Sequence, residues 1–227
     1  MEYVDSRTGR HKRKSSIGKQ AHFRDLVKHS CDNLRFRYVL SDSWFACAEN
    51  MQFITEQCGR DFIMAMKENR KVAFSKADKA AGKYISIKNA VPEGCARSVW
   101  VEQLDFPILI ARQVFKDGDG VTGTLYLACS DLSLLYDEVT AIYKRRWKVE
   151  EYHKFIKSNT AFPKSPTRRM TTQKSHFIAS IMAYVKMERL KIRCGSNHFA
   201  LKSKMMVNAT KIAWITMHQL ANHKLTA

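Results

Sequence analysis

The chain has 227 residues, 45% of them apolar, enough to bury a sizeable core in one large domain or two small ones. No apolar run approaches the roughly 18 residues of a membrane span, and the opening "MEYVDSRTGRHKRK" lacks the apolar centre of a secretory signal, so a cytoplasmic protein is expected. With 39 Lys plus Arg against 21 Asp plus Glu, the formal charge of +18 exceeds what solubility needs and draws polyanions. In the absence of a basic amphipathic anchor or lipidation signal, nucleic acid is a better acidic partner than a membrane surface.

In chain order, residues 6–20, "SRTGRHKRKSSIGKQ", are basic and rich in turn formers. They read as a loop, either facing DNA or merely solvated. "AHFRDLVKHSCDN" has helical spacing in Phe23, Leu26 and Val27, and "FRYVLSD" is a short β-prone run ending at Asp42. "SWFACAENMQFITEQCG" returns to helical spacing through Trp44, Ala48, Met51, Ile54 and Thr55, with Gly59 as a stop, and "DFIMAMK" is a second strand. Strand, helix, strand is the unit of a mixed or parallel sheet.

From Lys83 to Ser130 the runs "KYISI", "RSVWVEQL", "ILIARQVF" and "GTLYLACS" predict an antiparallel, β-rich insertion with "KDGDG" as a turn. One long helix is then expected from Asp131 through Asn159, opened by Asp131 and followed by Pro163 and Pro166. Helical patterns return over 171–193 and 200–220. The six cysteines, at 31, 47, 58, 95, 129 and 194, form no Cys-x-x-Cys pair and are expected as reduced, mostly buried thiols.

The stretch "YKRRWKVEEYHKFIK" at 143–157 carries the chemistry. On one continuous helix Tyr143, Arg146, Glu150 and Lys157 would fall within an arc of roughly 60°, with Lys154 on the same side. Phosphoryl transfer on DNA needs carboxylates to hold Mg²⁺ and cations to hold phosphates. Because one glutamate cannot hold two ions, a second acid is expected at the C-terminal end of a strand, where Asp42 stands. Spacing alone leaves another reading open, in which Arg146, Glu150 and Lys154 are i, i+4 surface ion pairs and Asp42 caps a helix starting near Ser43 or Trp44.

Tyr143-x2-Arg146-x3-Glu150-x6-Lys157 resembles the Tyr-Arg-Glu-Lys signature of bacterial insertion-sequence DDE transposases, in the large family numbered four. "LSDSWFACAENMQFI", "GTLYLACSDLSL", "RWKVEEYHKFIKSN", "SPTRR" and "TTQKSHFIASIMAYVKMERLK" are similar to the family's surrounding segments, so the likeness spans most of the chain. It implies an α/β fold of RNase H-like type, N-terminally truncated, with a β-rich insertion before the signature helix and a helical C-terminal part. The implied organisation is a partial core at 1–82, the insertion at 83–130, the signature helix at 131–160 and a helical region at 161–227.

By the same resemblance Asp42 and Glu150 would be the second and third catalytic, metal-binding carboxylates. Mg²⁺, or Mn²⁺ in its place, would be the cofactor. Tyr143, Arg146, Lys154 and Lys157 would contact DNA phosphates of transposon ends and target, with a homodimer holding paired ends. Trp100 could stack on a base turned out of the duplex, although a sheet-face role suits it better. The first carboxylate has no good candidate: Asp5 borders the basic loop, while Asp25 and Asp32 lie on or beside a helix. A weakly held metal and poor cutting are therefore expected. The rival readings are a DNA-binding remnant without catalysis and a nuclease of the same fold with no joining step.

Overall fold

The computed structural model describes residues 2–4, 7, 9, 11–13, 16–116, 122–160, 162, 165, 167 and 169–224. They fall into two compact units, Met1–Arg146 and Trp147–Ala227.

In the first unit, β1 (Glu2–Val4) and β2 (His11–Arg13) pair antiparallel, and α1 spans Lys19–Asn33. The basic segment read as a loop therefore contains a strand and the first residues of a helix; residues 6, 8, 10, 14 and 15 lie outside the described ones, as does Asp5. Asp25 and Asp32 are on α1, where Asp32 pairs with Lys28 at 3.7 Å.

Next come β3 (Tyr38–Ser41), α2 (Ala48–Gln52), a π-helical turn at Phe53–Gln57, and β4 (Asp61–Met66). Strands β3 and β4 run parallel, with Tyr38 opposite Asp61, as the strand-helix-strand pattern predicts. The helix starts at Ala48, several residues later than Asp42 capping would require. Gly59, with φ of 58°, lets the chain leave the π turn in a left-handed conformation that a side chain would strain.

Short elements follow: β5 (Lys71–Val72), α3 (Lys76–Ala80), β6 (Ile85–Ser86) and α4 (Ile87–Ala90). Then β7 (Ala96–Val99), β8 (Ile108–Lys116) and β9 (Thr122–Cys129) form antiparallel neighbours. Residues 117–120 of the "KDGDG" turn lie outside the described residues. Because β9 also pairs antiparallel with β4, these strands extend the central sheet, whose order is β3-β4-β9-β8-β7.

Strand β4 reads as a continuous apolar run because both of its faces are covered. Phe62, Met64 and Met66 join a core with Val27 of α1 and Met51 of α2. Ile63 and Ala65 face the other way, with Leu109, Leu127 and Val139. Val139 belongs to α5 (Tyr136–Lys144), so helices cover the sheet on each side.

The expected long helix is divided. The first helix begins at Tyr136, not Asp131, and ends at Lys144. After Arg145 and Arg146, α6 runs over Trp147–Asn159. The amides of Arg145 and Arg146 donate to the carbonyls of Ile142 and Tyr143 at 3.0 and 2.9 Å, the tight i to i−3 bonding that closes a helix end.

The second unit continues from α6 through α7 (Met170–Cys194) and α8 (His198–Lys224). Tyr184 of α7 meets the rings of Tyr152 and Phe155 edge-on at 4.9 and 5.1 Å. Gly195, with φ of 59°, terminates α7. Pro163 lies outside the described residues, as do Pro166 and Arg168 of "SPTRR".

All six cysteines are free thiols, but only Cys129 is buried; Cys31, Cys47 and Cys58 are half-buried and Cys95 and Cys194 exposed. The expectation of mostly buried thiols is thus corrected. No helix among the described residues is long and apolar enough to cross a membrane.

Candidate active site

Asp42 follows the last residue of β3, at the strand's C-terminal end, and is exposed. Its Oδ1 accepts the Trp44 amide at 3.0 Å, and its carbonyl accepts the Phe45 amide at 3.3 Å. Asp42 therefore caps a short turn rather than α2.

That turn is fastened from beneath. Buried Asn50, 0% exposed, donates from Nδ2 to the Phe45 carbonyl at 2.9 Å and to Gln20 Oε1 at 2.7 Å. Its Oδ1 accepts Arg24 at 2.9 Å. Gln20 in turn donates to the Trp44 carbonyl at 2.9 Å, and Phe45 stacks on Phe23 with ring centroids 4.6 Å apart. A fully partnered buried network of this kind fixes one conformation.

From the other face of the sheet, half-buried Tyr143 donates its hydroxyl to the Ser41 carbonyl at 3.2 Å. Burial pushes the Tyr143 hydroxyl above its ordinary pKa, Arg146 beside it pulls the other way, and the Asp42 charge adds to the rise. The Arg146 guanidinium lies 5.8 Å from the Tyr143 ring centroid. Asp42, Tyr143 and Arg146 thus share one neighbourhood.

Glu150, Lys154 and Lys157 are carried by α6, in the second unit, and all three are exposed. Within that helix they fall inside an arc of roughly 60°. Glu150 lies in the first turn and Lys157 in the last, each matching the sign that the helix dipole favours. The break at Arg145 and Arg146 removes the single helix face on which Tyr143 and Arg146 were expected to join them.

Trp100 is half-buried, its backbone bridged to Ala73 and its ring 5.9 Å from the Lys79 ammonium. It stands in an isolated β-bridge just past the end of β7, outside the sheet strands.

A second polar cluster went unread in the sequence. Asp131, 9% exposed, accepts the Ser133 hydroxyl at 2.6 Å and amide at 3.1 Å, Arg37 at 2.6 Å and the Tyr38 hydroxyl at 2.8 Å. Burial alone would raise the Asp131 pKa, but the bonds from Ser133 and Tyr38 and the charge of Arg37 outweigh it and hold it below the ordinary range. Tyr38 is pushed up to about 12 by burial and by its bond to Asp131. Asp131 therefore ties β9 to the start of β3 and does not open a helix.

A carboxylate such as that of Asp42 is an oxygen donor of the kind a hard divalent cation takes. Among the described residues no group of three or more His, Cys, Asp or Glu could hold a metal ion.

The family model described as "Transposase DDE domain" matches residues 14–186, well over half of the chain. The chain belongs to this family of DDE transposases. No curated protein matches it. Membership makes DNA the macromolecule the domain handles and transposition the process it serves, and it agrees with the +18 charge. The mixed α/β architecture, with its mainly antiparallel sheet, fits a DDE domain. The family normally works with divalent metal ions.

Proposed function

We propose that this chain carries the catalytic core of an insertion-sequence transposase of the Tyr-Arg-Glu-Lys group, with an RNase H-like fold. The observation that carries this reading is the convergence of Asp42 with Tyr143 and Arg146, residues far apart in sequence, at the end of β3. The parallel β3-β4 pair joined through α2 supports the fold type.

In this reading Asp42 and Glu150 would hold the divalent ion. Bound Mg²⁺, with Mn²⁺ as substitute, would supply activation of the attacking oxygen and charge neutralisation at the phosphate. Arg146, Lys154 and Lys157 grip phosphates of the transposon end and the target. Tyr143 holds the turn that presents Asp42 and adds a phosphate contact; it is not a nucleophile. Water first, then a freed 3′-hydroxyl, attacks the phosphodiester. Paired ends call for two copies of the chain.

The chemistry calls for three carboxylates and two are assigned, so we expect weak metal binding and poor cutting by the chain alone. The test is Mg²⁺-dependent strand transfer on an end-containing duplex, compared with Glu150→Gln. Little or no product is expected; robust wild-type products that vanish in the variant would overturn that expectation while supporting the carboxylate role, and robust products that persist in it would sink the assignment.

The second reading is a DNA-binding protein without catalysis, for which the surplus of 39 Lys plus Arg over 21 Asp plus Glu is sufficient. Tight duplex binding in EDTA with no product in either Mg²⁺ or Mn²⁺ would select it.

A further inference from the structure

We propose that Trp44 is a stacking platform for an unpaired nucleobase beside the Asp42 carboxylate, a role that rests on the DNA reading above. The residue is 59% exposed, although large aromatic side chains ordinarily find cover. Its backbone, by contrast, is held at both ends: the amide donates to Asp42 Oδ1 at 3.0 Å and the carbonyl accepts Gln20 at 2.9 Å. Behind it the Asn50 network and the Phe23–Phe45 stack anchor the same turn. An indole presented to solvent on a fixed backbone loses little freedom when it stacks, which is what preorganisation means for binding.

Charge identifies the occupant. The Lys19 ammonium lies 5.4 Å from the Trp44 ring centroid, so a flat π surface and a cation stand together two residues from Asp42. A nucleotide matches both: its base has a π face whatever its sequence, and its phosphate pairs with the ammonium. A base inside a duplex offers no free face, so the occupant is an unpaired one, as in a single-stranded tail.

The experiment uses the full chain in metal-free buffer and fluorescence anisotropy with two probes, a blunt duplex and the same duplex bearing a short 3′ thymine tail. Wild type is expected to bind the tailed probe more tightly. Trp44→Ala should weaken tailed-probe binding about 5- to 150-fold, the loss that one base–aromatic stack represents, and leave the blunt probe unchanged, while Trp44→Phe retains most of the preference. A variant keeping Trp44 as its only tryptophan should show emission quenched by oligothymidine. If wild type binds both probes equally, or Trp44→Ala keeps the tail preference, the stacking role is overturned while DNA binding stands. If wild type binds neither probe, the DNA reading and this inference fall together.

Discussion

The Tyr143 hydroxyl donates to the main-chain carbonyl of Ser41 across 3.2 Å, joining the end of α5 to the residue before Asp42. Tyr143→Phe keeps the ring and removes this bond together with the hydroxyl's interaction with Arg146. We expect a stability loss of about 0.5–1.5 kcal/mol, the net worth of one such bond, measured by urea denaturation. A variant as stable as wild type would show that the bond contributes nothing to holding the Asp42 turn.

Acid should loosen the junction between β9 and β3. The folded-state pKa of Asp131 lies below its ordinary value, so its stabilisation is complete above about pH 4 and drains away as pH falls through the lower folded value. Asp131→Asn should flatten the acid limb of the stability curve and cost about 1–3 kcal/mol at neutral pH. On the alkaline side, Tyr38 is raised to about 12. Its contribution is complete below about pH 10 and is lost between there and about 12. Thermal melts across both limbs test the pair of statements.

Asn50 serves three partners from a fully buried position. Asn50→Ala takes one partner each from the Phe45 carbonyl, Gln20 and Arg24, which keep the Cys47 amide, the Trp44 carbonyl and Glu49 respectively, so a loss of about 0.5–1.5 kcal/mol is expected. Hydrogen exchange at the Trp44 and Phe45 amides should accelerate with it. Unchanged exchange would mean that the turn at 42–45 is held without the network.

Lys154 and Lys157 are read as phosphate contacts. Each Lys→Ala change should weaken binding to any duplex sequence alike and lower the slope of log K against log salt by about 0.9. A slope equal to that of wild type would remove the residue from the interface.

Period and punctuation made much of this fold readable. The alternation in the β-prone runs and the apolar spacing of α1, α7 and α8 mark real elements, because one-dimensional pattern follows the face that is buried. Asp42 was readable because a strand end followed by an acid is a local feature. The break at Arg145 and Arg146 was not, since neither glycine nor proline marks it. Asp131 resembled a helix cap, because Asp serves turns and caps through the same side-chain oxygen; its partners Arg37 and Tyr38 come from a distant segment. The Gln20–Asn50–Arg24 network, also assembled by tertiary contact, left no periodic trace.

The thiols have a practical meaning. Cys129 and Cys58 are pushed up to about 12 and about 11, chiefly by burial, which keeps them protonated and slow toward electrophiles. Cys95 and Cys194 are exposed, one in each compact unit. Once the half-buried Cys31 and Cys47 are replaced, these two positions are addresses for a donor and an acceptor dye, and energy transfer between them would report, in solution, any change in separation when DNA is added.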